Sequence, residues 1–122
     1  MKLFARIGLA SLGVSVLSIS LAGVAEEAAK PGSAARTILA EDEKLQAFEI
    51  RQMPGEVNTA VTSGTRVIRA LKGGTLLRTY ADGRTEQSNW QTGDVQIQGP
   101  GPQYTVKNVG DSEVVLYVVR LK

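Results

Sequence analysis

Beyond residue 36 the apolar and polar positions alternate with a period of two. In Leu45–Met53, Phe48 and Ile50 share one face while Glu49 and Arg51 share the other, and Pro54-Gly55 stops the run. Glu56–Thr62 follows, with Val57, Thr59 and Val61 on one face, and Ser63-Gly64-Thr65 turns. Arg66–Leu71 ends at Lys72-Gly73-Gly74. Thr75–Tyr80 and Thr85–Trp90 flank Asp82-Gly83, a strong hairpin signal. From Gly93 to Asn108 a turn leads into a short strand marked by Val95 and Ile97. A stiff Gly99-Pro100-Gly101-Pro102 loop and a second strand, Tyr104–Val106, follow. The plainest expectation is that these two strands pair antiparallel across the preset bend. Glu113–Leu121 is apolar on both faces and belongs in the middle of a sheet, whereas Thr37–Ala40 reads as a short edge strand. No stretch after residue 25 carries a helical period. About eight or nine short antiparallel strands with regular turns predict an all-β sandwich or barrel.

The N-terminal segment has a different character. Lys2 and Arg6 precede an uncharged stretch, Ile7–Ala25, with small residues Gly23 and Ala25 before Glu26. This is the pattern of a secretory signal peptide, residues 1–25, cleaved after Ala25. A retained membrane anchor is the competing reading, opposed by four serines and three glycines that dilute the stretch. The expected destination is the periplasm or the exterior. Residues 26–36, small, polar and broken by Pro31-Gly32, read as a flexible linker, which leaves 37–122 as one domain. Of the 14 basic residues, Lys2 and Arg6 belong to the leader, so twelve basic and twelve acidic residues remain beyond it. A neutral domain has no electrostatic footprint for nucleic acid, and without its leader it has no segment to hold a membrane. The sequence has no cysteine and no histidine. That excludes disulfides, lipidation at cysteine, histidine-based triads and imidazole metal sites.

The segment from Gly93 to Asn108 resembles the second motif of the cupin superfamily, G-x5-P-x-G-x2-H-x3-N. Gly93, Gly101 and Asn108 match it, Gly99 stands at the proline and Tyr104 at the histidine. Pro54-Gly55, followed at the proper distance by Val61-Thr62-Ser63 and a strand ending at Gly73, is similar to the first motif. The resemblance spans roughly residues 43–122 and implies a jelly-roll barrel. It also implies that three of the family's metal-binding histidines are replaced, by Val61, Ser63 and Tyr104. The family's glutamate has no clean counterpart; the count back from Gly73 reaches Arg66. Such a set does not suit a first-row metal, so the expectation is a metal-free protein without a cofactor.

The resemblance implies that Tyr104 faces the barrel, as a ligand-binding hydroxyl or as packing. Arg66 is either an exposed strand arginine or, facing inward, an anchor for a small anion together with Ser63 and Tyr104. Glu49, Arg51, Arg69 and Arg78 read as surface ladder charges, and Trp90 as core, pocket or interface. Three roles remain open. The first is non-catalytic binding of a small anionic or polar ligand, as an accessory module able to pair as a homodimer. The second is a metal-independent isomerase or lyase using Glu49, Asp94, Tyr104 or a lysine as base. The third is a structural or protein-interaction domain with a filled barrel.

Overall fold

The computed structural model describes residues 25–27 and 31–122. The expected leader therefore lies, except for Ala25, outside the described residues. Among the described residues ten strands form: β1 (Ala25–Glu27), β2 (Ala35–Glu41), β3 (Leu45–Gln52), β4 (Val57–Thr59), β5 (Arg66–Lys72), β6 (Gly74–Tyr80), β7 (Thr85–Trp90), β8 (Val95–Gln98), β9 (Tyr104–Asn108) and β10 (Val114–Leu121). They make two antiparallel sheets that face each other, β1-β2-β3-β10-β5-β8 and β4-β9-β6-β7. Together these are a jelly roll, as the turn spacing and the alternation predict. Among the described residues there is no helix.

β10 sits between β3 and β5 along its length, pairing Leu116 with Ile50 and Ala70, and Val118 with Phe48 and Ile68. Its continuous apolar run is what a centrally buried strand requires. Phe48, Ile50, Ile68, Ala70, Leu116 and Val118 meet Leu76 and Trp90 from the facing sheet to form the core. The Asp82-Gly83 hairpin closes β6 onto β7 as expected, with the Gly83 N–H donating to the Tyr80 carbonyl.

Several expectations are corrected. β2 is not a short edge strand. It runs from Ala35 to Glu41 between β1 and β3, so Ala35 and Arg36 are sheet rather than linker, and Glu26 and Glu27 pair with it. Its small and polar residues have little strand preference of their own; pairing with β3 decides their conformation. β8 and β9 do not pair with each other: β8 joins β5 and β9 lies between β4 and β6. Residues 99–103 instead cross from one sheet to the other. Five residues at ~3.3 Å each span the gap between facing sheets, and prolines without N–H groups cannot extend either ladder. In β4 the inward position is Asn58, whereas Val57 and Thr59 are exposed.

Candidate functional site

β5 reads RVIRAL, and each of its two faces carries an arginine. Pairing with β10 and β8 sends Ile68 and Ala70 inward. Because side chains alternate strictly, Arg66 must follow them. The guanidinium is consequently buried, with the residue 6% exposed, contrary to the exposed alternative. Its Nη1 donates to the Tyr104 hydroxyl at 3.2 Å and its Nη2 to the Gly99 carbonyl at 3.3 Å. Nε is buried with no partner. Among the described residues no carboxylate forms an ion pair with Arg66.

Tyr104, at the start of β9, is buried as the resemblance implies. Its hydroxyl accepts from Arg66 and donates to Gln98 Oε1 at 3.3 Å. Gln98 is the cross-strand neighbour of Arg66 and also accepts from Arg78 Nη2 at 3.4 Å. The Arg78 guanidinium lies 4.0 Å above the Tyr104 ring centroid, a cation–π contact. Arg78 also donates to the Tyr80 hydroxyl at 3.3 Å, and that hydroxyl donates to Glu86 at 3.1 Å. Arg78 and Glu86 form an ion pair at 3.8 Å. One carboxylate thus offsets Arg78, and the charge of Arg66 is left uncompensated.

These groups form one end of the barrel. An open mouth of about 460 Å³ is bounded by Arg66, Arg78, Tyr80, Glu86, Gln98 and Tyr104, with Gly99, Gly101 and Pro102 on its rim. Below it a narrower chamber of about 60 Å³ continues between Phe48, Ile68, Leu76, Trp90, Leu116 and Val118. Val61 also lines this chamber. Ser63 does not; it is exposed, in a separate shallow depression with Thr62 and Gln103. Of the expected trio, Arg66 and Tyr104 converge and Ser63 stands apart, because the Ser63-Gly64-Thr65 turn carries it outside the sheets.

Four further site residues carry no clear signal in the sequence. Arg78 reads as a ladder charge yet is half-buried at the mouth. Gln98 and Gln96 were masked by Val95 and Ile97, the apolar members of the same strand, which face solvent; Ile97 is 74% exposed. The register of Gln98 with Arg66 is the signal that would have revealed it, and it requires knowing that β8 pairs with β5. Ser88 on β7 also lines both spaces.

Val61, Ser63 and Tyr104, at the positions where cupins carry histidines, do not make a ligand set. Val61 has no donor atom, Ser63 points away, and a guanidinium stands beside the tyrosine. Among the described residues no group of three His, Cys, Asp or Glu side chains is placed to hold a metal.

The two facing sheets, their strand order and the mouth between them define a cupin-type double-stranded β-helix. Solved structures with this fold are similar to the chain. A cupin domain from Bordetella pertussis is 24% identical with a TM-score of 0.67, over 74% of this chain and 94% of that one. A conserved double-stranded β-helix protein from Klebsiella pneumoniae is 17% identical with a TM-score of 0.59, over 75% and 79%. An RmlC-like cupin from Shewanella frigidimarina is 16% identical with a TM-score of 0.57, over 80% and 83%. At these identities the likeness is one of fold. No protein-family model matches the sequence, and no curated protein matches it.

Proposed function

We propose that the barrel binds a small carboxylate at Arg66 and does not transform it. The observation that carries this reading is the buried Arg66 guanidinium, held by a phenol and a carbonyl with no carboxylate to balance it. A buried charge without a counter-ion is costly, and an anionic ligand removes that cost. Two of its five N–H groups are spent on the Tyr104 and Gly99 oxygens, so donors remain for a carboxylate. The absence of turnover is supported by the wall chemistry. Glu86, the carboxylate of the mouth, is committed to Tyr80 and Arg78, and no unengaged base faces the chamber among the described residues. Glu49 faces outward beside Arg51, and Asp94 accepts the Gln91 N–H, so neither serves as the base of a metal-independent isomerase. In this reading the protein is an exported accessory module acting in the periplasm or outside the cell, after release of the N-terminal segment.

The test is a thermal-shift titration of the wild type and Arg66→Met with acetate. At tenfold Kd the wild type gains about 1.4 kcal/mol, a rise in Tm of roughly 5–10 °C. The variant shows no rise, and its own Tm equals or exceeds that of the ligand-free wild type, because an apolar isostere no longer needs a counter-charge. An equal shift in both proteins, or a large loss of Tm in the variant without any acetate effect in the wild type, overturns the proposal.

A further inference from the structure

The inward positions of three strands change character in the same direction along the barrel, and those of a fourth, β9, also end on a polar group at the mouth. On β5 they run Ala70, Ile68, Arg66; on β6, Leu76, Arg78, Tyr80; on β7, Trp90, Ser88, Glu86. On β9 they run Asn108, Val106, Tyr104, and the Asn108 amide is spent on the Gln52 and Ser112 carbonyls and the Gly110 N–H. The apolar residues of β5, β6 and β7 lie at the chamber and their polar ends at the mouth, so the Arg66 guanidinium sits at the boundary of a largely apolar recess, with Arg36 and Arg78 also on its walls. We infer that the ligand is an amphipathic monocarboxylate, its headgroup on Arg66 and an apolar body of about four or five heavy atoms in the chamber. This rests on the carboxylate reading above.

The size follows from the chamber volume of about 60 Å³, set against roughly 10–15 Å³ for one water-sized unit. The chemistry follows from the walls. Water bound between Phe48, Ile68, Leu76 and Leu116 lacks the two to four polar partners that hold it, so an alkyl or small aryl group displaces it with gain. A second carboxylate at the inner end would be buried against these side chains. The amide of Gln52 on that wall already donates both of its N–H groups, to the Glu56 and Val106 carbonyls, and has none left for it.

Calorimetric titration of the wild-type protein with acetate, propanoate, butanoate, pentanoate and hexanoate reads the inference. Affinity should rise about fourfold per methylene, the equivalent of ~0.8 kcal/mol, and level off once the chamber is full. Glutarate should bind more weakly than pentanoate. In Ala60→Leu, which places a larger side chain in the chamber wall, acetate affinity should persist while the gain with chain length disappears. A flat series, or glutarate stronger than pentanoate, overturns the amphipathic ligand but leaves acetate binding at Arg66 intact. Failure of every acid, acetate included, overturns the carboxylate reading as well.

Discussion

Asn108 is the motif residue whose side chain is most fully used. It is 1% exposed, donates from Nδ2 to the carbonyls of Gln52 and Ser112 at 2.9 Å each, and accepts the Gly110 N–H at 3.0 Å. One amide therefore ties the end of β3, the end of β9 and the turn into β10. Asn108→Asp replaces a donor facing two backbone carbonyls, that of Gln52 buried, with an acceptor. We expect a loss of about 3 kcal/mol, or roughly 10–20 °C in Tm, with acetate binding preserved in the folded fraction. Urea denaturation of the pair measures it, and a loss within experimental error would show that the bonds carry little. The motif glycines divide in the same way. Gly55 and Gly93 have φ of 86° and 95°, a region L-residues avoid, so the turn skeleton at Pro54-Gly55 and Gly93 is a backbone requirement. Gly101 has no positive φ, and a Cβ there would meet nothing within 4 Å.

At the scale of elements, the β5–β6 junction is among the tightest points of the skeleton. A Cβ on Gly73 would collide with the Trp90 carbonyl oxygen and come within 2.8 Å of the backbone of Gln91 and Thr92. All three neighbours are backbone atoms, so there is no side chain to swing away. Gly73→Ala should cost about 3 kcal/mol, and Gly101→Ala should stay within about 0.5 kcal/mol, as chemical denaturation of the two variants would show. Both glycines belong to the same resemblance, but only three-dimensional neighbours separate them. The legibility of the other elements has the same cause. β3, β6, β7 and β10 were readable because their apolar runs or turn residues speak for themselves. β5 was readable as a strand but not in phase: Arg66 and Arg69 occupy opposite faces, and Val67 competes with Ile68 for the interior, so its phase is fixed only by its partners. β8 was similarly ambiguous, with Val95 and Ile97 outside and Gln98 at the mouth. Arg66 and Gln98 thus belong to the two strands whose polar residues ride inward on a register that local pattern does not contain.

At the scale of the molecule, the large sheet is fastened at one end by Glu113, just before β10. Its carboxylate accepts from Lys72 of β5 at 3.3 Å and pairs with Arg51 of β3 at 3.4 Å, so it bridges both neighbours of the central strand. The Lys72 hydrogen bond, with the charges of Arg51 and Lys72 assisting and partial desolvation opposing, holds this carboxyl below the ordinary value of 4.5. In the unfolded chain that support is gone and the group takes up its proton at the ordinary value. The contribution to stability is therefore complete above 4.5 and is lost as the pH falls through the lower folded-state value. Glu113→Gln should have a slightly lower Tm than the wild type near neutrality, and the difference should close in acid. Melting curves between about pH 6 and pH 3 test this, and salt should shrink the neutral difference because the pairs are exposed. A difference that persists unchanged in acid would point to packing rather than charge.

The position of β10 also governs when the domain is able to form. Synthesis delivers β3 and β5 long before the strand that separates them, and until Val114–Leu121 has left the ribosome both lack the partner that completes their ladders. The nascent chain must wait with its future interior exposed, which leaves it open to a chaperone or a translocation channel that accepts only unfolded polypeptide.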